Sequence, residues 1–366
     1  MSALFEPLAL RSLTVRNRAW MSPMAQYSAA TEGPDRGVPN DWHFAHYGAR
    51  ATGGVGLILT EATAVVPEGR VSPGDLGLWN DRQTEAFSRI ARFLKAQGVV
   101  PGVQIVHAGR KASTRRAWEK SGPLTADEGS WPTVAPSPLP FSDVHPVPKE
   151  LTLDGIREVI AQFVAAARRA LTAGFQVIEL HGAHGYLLAQ FLSPHSNHRT
   201  DTYGGPFENR IRFPLQVVDA VREVWPDDLP LFYRISATDW LDHGGWTPDE
   251  TVRFAKELLA RGVDLLDVST GGNVSGVHIP TGPGYQVPFA ARVKAETALP
   301  VATVGEITHP RQAETVIRTG QADAVFLARE LLRNPSWPLH AAHELGAPDA
   351  AAVPNQYLRA YPRAAR

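Results

Sequence analysis

Short apolar runs alternate with longer amphipathic stretches along most of the chain. Eight runs stand out: RAWMSPM (18–24), VGLILTEA (55–62), VVPGVQIVH (99–107), FQVIELH (175–181), LPLFYRIS (229–236), DLLDVST (264–270), PVATVG (300–305) and ADAVFLA (322–328). Most are continuously apolar, which is typical of parallel strands that are buried on both faces. The pattern therefore predicts eight buried strands.

The stretches between these strands have helical periodicity and recognisable ends. Four examples are 81–98, 151–174, 247–262 and 308–320. Several begin with Thr or Asp followed by an acid and end on glycine, which are helix start and stop signals. Eight strands with helices between them predict an α/β fold, a (β/α)8 barrel, as one domain over 1–366. A doubly wound open sheet is the alternative, disfavoured because no GxGxxG motif follows the first strand.

One connection is much longer than the others. The proline-rich segment 121–149 follows the third predicted strand, so in a barrel it would lie over the catalytic face. Long loops in compact domains are often lids or substrate walls, and we predict that role here. A surface excursion without a role is the alternative.

Composition excludes several classes of function. The formal net charge is -1, without the basic excess of a nucleic-acid-binding protein. The chain has no cysteine, which excludes disulfides, thiolate zinc sites and cysteine-ligated iron–sulfur clusters. No apolar run approaches the roughly 18 residues that span a bilayer, and the N-terminus lacks an apolar signal region. We therefore expect a cytoplasmic protein that binds neither nucleic acid nor a membrane.

The ends of the predicted strands carry hydrogen-bond donors more often than carboxylates. Barrel enzymes place their chemistry at these C-terminal ends. In HGAHGYLLAQF, the residues His181, His184 and Tyr186 follow the fourth strand. Two histidines lack the third ligand of a metal site, so we expect no metal; purely structural histidines are another alternative. Such donors suit an electron-rich substrate oxygen or an anionic cofactor.

The last two strands predict a phosphate site. Gly305 ends the seventh strand, and Ala328 and Arg329 end the eighth. Barrels often bind phosphate at these two loops through backbone N–H groups and a short helix N-terminus. Glycine allows a close backbone approach, and the arginine adds a charge-assisted hydrogen bond.

Longer stretches of the chain resemble the Old Yellow Enzyme family of flavin-dependent ene-reductases, most closely its class III, thermophilic-like subgroup. The matching stretches are FEPLALRSLTVRNR, SPMAQYSA, EATAVVPEGR, QIVHAGRK, ELHGAHGYLLAQFLSPHSNHRTDTYGGPFENRIRF, YRISATDW, VGEI, FLARELLRNP and QYLRAY. The resemblance runs nearly end to end. It implies a (β/α)8 barrel that holds FMN non-covalently, with NADPH as the reductant and NADH as an alternative.

Carried over position by position, the resemblance implies a set of cofactor contacts. They are Pro23, Met24 and Ala25 along the flavin ring, Ala62 and Gln104 at its pyrimidine end, Arg234 at its electron-rich edge, and Gly305, Ala328 and Arg329 at the phosphate. The phosphate residues are the ones that the spacing indicates. In one departure from the family pattern, Ala25 stands where the subgroup usually has a cysteine, and we expect this to shift the flavin potential.

The resemblance also implies the catalytic roles. His181 and His184 would donate hydrogen bonds to the carbonyl or nitro oxygen of an activated alkene. Hydride would pass from flavin N5 to the β-carbon, and Tyr186 would protonate the α-carbon from the opposite face. Tyr27 would close the substrate pocket.

The C-terminal tail, 350–366, contains the motif QYLRAY at 356–361. In class III relatives the corresponding arginine reaches the active site of the neighbouring subunit. The resemblance therefore implies that Arg359 and Tyr361 bind substrate in the partner of a homodimer, or of a tetramer built from dimers. A frayed tail is the alternative.

Two other functions remain open from the sequence. A Schiff-base aldolase on the same barrel would use Lys111, at the end of the third strand. A flavin-binding storage or sensor protein would bind FMN without oxidising NADPH in the presence of an enone. Family members with an iron–sulfur cluster are excluded because the chain has no cysteine.

Overall fold

The computed structural model describes residues 2–361, in which eight parallel strands form a closed barrel. In chain order, β1 to β8 are Ala19–Met21, Leu57–Ala64, Val100–Val106, Val177–Gly182, Leu231–Ser236, Leu265–Ser269, Val301–Thr303 and Ala324–Leu327. Each strand pairs with the next one along the chain, and β8 closes the barrel on β1. All eight predicted strands are present, and the (β/α)8 prediction is confirmed.

Helices surround the barrel. In chain order, α1 to α11 are Asp41–Thr52, Asp81–Ala96, Leu153–Ala173, Leu187–Leu192, Phe207–Arg210, Arg212–Val224, Pro248–Ala260, Val287–Glu296, Pro310–Arg318, Arg329–Arg333 and Trp337–Glu344. The predicted start and stop signals operate: Thr247 and Glu250 form a capping box at α7, and Gly174 ends α3 with a left-handed φ of 90°. No helix within residues 2–361 is long and apolar enough to cross a membrane.

Apolar side chains fill the N-terminal end of the barrel. A short antiparallel hairpin, Leu8–Leu10 paired with Leu13–Val15, precedes β1. Its buried side chains join those of Trp20 and Phe232 in one cluster inside the barrel. The Trp20 and Phe232 rings stack with their centroids 6.1 Å apart. This end of the barrel is therefore a packed core.

The long segment 121–149 contains short elements only: a 3-10 turn at Ala126–Glu128, and the strand Val134–Ala135, which pairs with Lys149–Glu150. It is tied to the loops after β2 and β3. Trp131 Nε1 donates to the carbonyl of Glu68, and Arg110 donates to the carbonyl of Leu139. The segment therefore packs beside the C-terminal ends of these two strands.

Candidate active site

The strand register brings four polar side chains together inside the barrel. Gln104 on β3 lies opposite Glu179 on β4, and Arg234 on β5 lies opposite Asp267 on β6. Gln104 Nε2 donates to Glu179 Oε1 at 2.7 Å, and Arg234 Nε lies 3.1 Å from Asp267 Oδ2. All four residues are buried. We call these four residues the polar layer.

Burial raises the pKa of both acids in the polar layer. Burial raises the pKa of Asp267 to about 6, against the opposing effect of the Arg234 charge. Burial, and then the neighbouring Asp267 charge, raise the pKa of Glu179 well above its usual range. Glu179 therefore has a strong tendency to hold a proton, and Asp267, in contact with the guanidinium, is the counter-charge of Arg234.

Arg234 is buried and forms an ion pair with Asp267, yet its guanidinium makes no well-aligned hydrogen bond within residues 2–361. The donors of a buried guanidinium normally have acceptors, because leaving them unbonded is costly. The guanidinium lines a cavity of about 380 Å³ that continues to the ends of β7 and β8. An acceptor atom on a ligand in this cavity would satisfy Arg234.

The same cavity brings together Gly305, Ala328 and Arg329. Gly305 has a φ of 122°, and a Cβ there would lie 2.9 Å from the amide nitrogen of Gln286. The Arg329 side chain is largely exposed, with one loose ion pair of 3.7 Å to Glu306. The backbone at Gly305 and the exposed, loosely paired Arg329 at one end of the cavity fit a phosphate. With the buried guanidinium of Arg234 further in, the cavity fits a phosphorylated cofactor such as FMN.

His181, His184 and Tyr186 form a cluster of rings at the end of β4. The His181 ring centroid lies 5.1 Å from that of His184 and 4.9 Å from that of Tyr186, with both pairs nearly perpendicular. His181 pairs with Arg234 across the sheet. The chain then turns through His184, whose φ is 57° and whose N–H donates to Ser236 Oγ at 2.9 Å.

Both histidines are neutral, and the tyrosine keeps its proton. Burial, helped by the Arg234 and Lys111 charges, lowers the pKa of His181 and His184 well below the usual range. Burial raises the pKa of Tyr186 well above its usual value, and the nearby Tyr27 raises it further. The site therefore presents neutral imidazoles and a protonated phenol.

Lys111 and two glycines hold the turn that carries His184. Lys111 Nζ donates to the carbonyls of His184 and Gly272 at 2.8 and 2.7 Å. A Cβ on Gly185 would lie 2.4 Å from the Gly272 oxygen, and one on Gly272 would lie 2.7 Å from the His184 Cα. Backbone therefore packs directly on backbone here. Burial lowers the pKa of Lys111 to about 8, which alone would suit a Schiff-base lysine, but both contacts of its Nζ are to backbone carbonyls that hold the turn.

The segment after β1 is anchored to the end of β2. Gln26 N–H donates to the buried Glu61 carboxylate at 2.9 Å, and Glu61 directly precedes Ala62. Tyr27 has a φ of 51°, and its ring meets Trp118 edge-on at 5.8 Å. This segment also carries three predicted flavin contacts, which are half-buried: Pro23, Met24 and Ala25.

The structure places the tail residues away from this cluster. Arg359 is exposed, and the Tyr361 hydroxyl lies 3.1 Å from His340 Nε2 on α11 of the same chain. Residues 362–366 of the predicted tail lie outside the described part of the chain. A role for Arg359 and Tyr361 in a partner's site stays a prediction.

Sequence reasoning assigned no role in the site to four residues: Glu179, Asp267, Ser269 and Gln286. For the first three the signal was present, because in VIELH, LFYRIS and LLDVS a polar residue recurs at every second position after an apolar start. Within residues 2–361, no group of three or more His, Asp or Glu side chains is placed to hold a metal ion.

Comparison with known proteins decides the family. A model of the NADH:flavin oxidoreductase / NADH oxidase family matches residues 3–347. The chain belongs to this family. Relatives named NADPH dehydrogenase from Geobacillus sp. (strain WCH70) and Listeria innocua serovar 6a are 48% and 46% identical to this chain. These alignments span 358 and 361 residues, 98% and 99% of this chain and 98% and 100% of the relatives.

Solved structures of this flavin oxidoreductase family have the same fold. Morphinone reductase matches with a TM-score of 0.77 and 30% identity over 94% of this chain and 90% of its own. An old yellow enzyme homologue from Zymomonas mobilis matches with a TM-score of 0.77 and 26% identity over 94% of this chain and 93% of its own. The predicted family is confirmed. The protein is an NAD(P)H-dependent flavin oxidoreductase of the Old Yellow Enzyme family, with FMN and NADPH as its cofactors.

Proposed function

We propose that this flavin oxidoreductase is an ene-reductase. It uses NADPH to reduce the activated C=C bond of α,β-unsaturated carbonyl or nitro compounds. One observation carries the proposal: the neutral His181 ring lies 5.1 Å from the neutral His184 ring and 4.9 Å from the protonated Tyr186 ring, and His184 contacts Ser269, which lines the same cavity as Arg234. This arrangement can bind a substrate oxygen and deliver a proton.

His181 and His184 bind and polarise the substrate oxygen. Each neutral ring offers one N–H to that oxygen, which gains negative charge as the β-carbon accepts hydride. The charge of Lys111, which is bonded to the His184 carbonyl, stabilises the same developing charge. Preorganised donors of this kind need little rearrangement during the reaction.

Tyr186 supplies the proton. Its raised pKa keeps the hydroxyl protonated at neutral pH, and its ring lies 4.9 Å from that of His181, which binds the oxygen. Bound FMN supplies the hydride, from its N5 atom to the β-carbon. Tyr186 then protonates the α-carbon on the opposite face of the alkene. Tyr27, close to Tyr186, closes the substrate pocket from the β1 side.

The cofactor is held without a covalent bond. Gly305, Ala328 and Arg329 would bind its phosphate, and Pro23, Met24 and Ala25 would line its ring. Ala62 and Gln104 would contact the pyrimidine end, and Arg234 would lie at the electron-rich edge of the ring. Gln104 Nε2 uses one of its two N–H groups on Glu179, which leaves its Oε1 as an acceptor and its second N–H as a donor for the cofactor.

Anaerobic spectroscopy tests this function. The purified protein should show a flavin band near ~450 nm that NADPH bleaches and 2-cyclohexenone restores. In the Tyr186→Phe variant, bleaching should proceed at the normal rate and recovery should be slow, because only the proton donor is lost. A protein that bleaches with NADPH and recovers with neither an enone nor a nitroalkene would remain a flavin oxidoreductase, but the ene-reductase proposal would be wrong.

We also propose that Arg359 and Tyr361 act in the active site of a partner subunit. Mixing Arg359→Ala and Tyr186→Phe subunits tests this directly. If Arg359 acts across the interface, a mixed dimer has one intact site, and activity is recovered. If Arg359 acts within its own subunit or not at all, mixing recovers nothing.

A further inference from the structure

A series of hydrogen bonds runs from His184 along the wall of the proposed cofactor cavity, which Ser269, Gln286 and Val304 line. His184 Nε2 lies 2.8 Å from Ser269 Oγ. Ser269 Oγ donates to Gln286 Oε1 at 3.1 Å, and Gln286 Nε2 donates to the carbonyl of Val304 at 2.9 Å. Every polar group in this hydrogen-bonded series is a donor, an acceptor or a hydroxyl that can be either.

The Val304 carbonyl, at the far end of the hydrogen-bonded series, fixes the orientation of the Gln286 side chain. The Val304 carbonyl can only accept, so the amide nitrogen of Gln286 must face it. The amide oxygen then faces Ser269 and Thr270, and Thr270 also donates to it, at 2.8 Å. Gln286 Oε1 is therefore an acceptor that keeps one donor even when Ser269 turns away.

The two histidines differ in how their protons are fixed. His181 Nδ1 accepts from the N–H of Ala183 at 3.3 Å, so in the neutral ring the proton is on Nε2. The backbone thus makes His181 Nε2 a permanent donor. His184 is bonded to a hydroxyl instead, and a hydroxyl can donate or accept.

We propose that Ser269 is a positioning residue that sets the tautomer of His184 by rotating its hydroxyl between Gln286 and His184. This inference rests on the proposed function, because it concerns the N–H that His184 offers to the substrate oxygen. With Ser269 donating to Gln286, its oxygen accepts from His184 Nε2–H, and Nδ1 is a bare acceptor. With Ser269 donating to His184 Nε2, the proton is on Nδ1, and that nitrogen becomes a donor.

The empty pocket favours the first state, because Ser269 then makes two hydrogen bonds, donating to Gln286 and accepting from His184 Nε2–H, whereas in the second state it makes one. A carbonyl ligand favours the second, because it has lone pairs and no hydrogen to offer. In the change of state, water takes up the proton from Nε2 and another is added at Nδ1, so the charge of the ring is unchanged. The neutrality of His184 makes this control possible, because a charged imidazolium would donate from both nitrogens.

Nitrogen NMR of histidine-labelled, FMN-loaded protein reads the tautomer directly. Long-range proton–nitrogen spectra distinguish Nε2–H from Nδ1–H, and a His184→Asn variant assigns the signals. We expect both rings as Nε2–H in the oxidised protein without ligand. Saturating 2-cyclohexenone should convert His184 to Nδ1–H and leave His181 unchanged. A His184 ring with one tautomer in both samples, or a charged ring, would overturn the proposal.

Three variants separate this role from general packing. Ser269→Ala should weaken binding of 2-cyclohexenone to the oxidised protein roughly two- to tenfold, the value of one hydrogen bond, and Ser269→Thr should restore it. Gln286→Met removes the competing acceptor, so His184 should be Nδ1–H before any ligand is added. FMN content of every variant is measured first, because Ser269 and Gln286 both line the cofactor cavity, and binding is compared only between FMN-loaded proteins. Equal binding by Ser269→Ala and Ser269→Thr, or an unchanged tautomer in an FMN-loaded Gln286→Met protein, would contradict the proposal.

The two proposals fail in distinguishable ways. If an enone binds and converts the His184 tautomer but never restores the flavin band, the ene-reductase function is wrong and the role of Ser269 stands. If turnover is normal and the tautomer is insensitive to ligand and to Ser269, the function stands and the inference is wrong.

Discussion

The inside of the barrel changes character from one end to the other. Three neighbouring strands show this at every second residue: Val177, Glu179 and His181 on β4; Phe232, Arg234 and Ser236 on β5; Leu265, Asp267 and Ser269 on β6. The first residue of each of these series, Val177, Phe232 or Leu265, packs in the apolar cluster at the N-terminal end. In the middle, polar atoms of Glu179, Arg234 and Asp267 are left without hydrogen-bond partners.

This comparison shows that residues important for stability lie very close to residues important for chemistry. Two residues of a strand span about 6–7 Å, so one step along the inner face leads from packed core to unsatisfied polar groups. At the N-terminal end of the barrel, here called the lower end, protein atoms alone complete the packing. At the C-terminal end, the upper end, buried polar groups need a ligand to complete their hydrogen bonds. Changes at the two ends should therefore affect different measured properties.

The largest effect is expected at the lower end. Trp20 is fully buried between Phe232 and Phe326, so Trp20→Ala should reduce the free energy of unfolding by about 3–5 kcal/mol. The flavin spectrum of the folded variant should be normal. Denaturant unfolding measures this, with the partly exposed Leu259→Ala as a control that changes stability by about 0.5 kcal/mol or less. A variant of normal stability that loses FMN would refute the division between the two ends.

At the upper end the effect should be on rate. His184→Ala removes one donor to the substrate oxygen and should slow reoxidation of the flavin by 2-cyclohexenone roughly 10²- to 10³-fold. Its unfolding free energy should change far less than that of Trp20→Ala. Stopped-flow absorbance measures the rate, and a normal rate would show that His184 does not bind the substrate oxygen.

The same comparison explains which features were readable from the sequence. The eight strands were predicted because their apolar runs are long, and the donors at their ends because HGAHGY and the two phosphate loops stand in sequence. Gln104 and Arg234 of the polar layer were predicted, whereas Glu179 and Asp267 were not, because each acid stands alone in an apolar run. Only the strand register shows that Glu179 lies opposite Gln104 and Asp267 opposite Arg234. The Ser269–Gln286 contact joins the end of β6 to the residue before α8, so no local sequence pattern predicts it.

Titration should also distinguish a buried acid near the site from one outside it. Burial raises the pKa of Glu61 from 4.5 to about 8, so the folded state keeps a proton that the unfolded state loses. Its contribution to stability is therefore complete below about pH 4.5 and is lost as the pH rises toward 8, by at most about 1.4 kcal/mol per pH unit. Glu61→Gln should flatten the pH dependence of unfolding over this range.

Glu314 provides the opposite control. Burial alone would raise its pKa, but hydrogen bonds from Ser2, Leu4 and Ala3 and from Arg318 outweigh burial and lower the pKa to about 2. Its contribution is present above its unfolded pKa and is lost as the pH falls toward 2. Glu314→Gln should therefore change stability at neutral pH and leave the slope between pH 5 and 8 as it is. If Glu61→Gln and Glu314→Gln behave alike, Glu61 does not hold a proton at pH 7.

The smallest expected effect is at Ala25. A thiol in Ala25→Cys would add a weak hydrogen-bonding group near the flavin and shift its potential by roughly 30 mV or less, about 1.4 kcal/mol for a two-electron couple. Redox titration against a reference dye measures this, with Ala25→Val as a control that adds volume alone. An unchanged potential in Ala25→Cys, or the same shift in both variants, would rule out the thiol as the cause.

The backbone contact between Gly185 and Gly272 limits what laboratory evolution can change in this enzyme. Neither position accepts a side chain without moving the other loop, and Lys111 bonds both loops at once. Libraries that vary the two glycines should therefore yield mostly inactive clones. New substrate preferences should come from Tyr27, whose partly exposed ring contacts Trp118 and not the backbone of either loop.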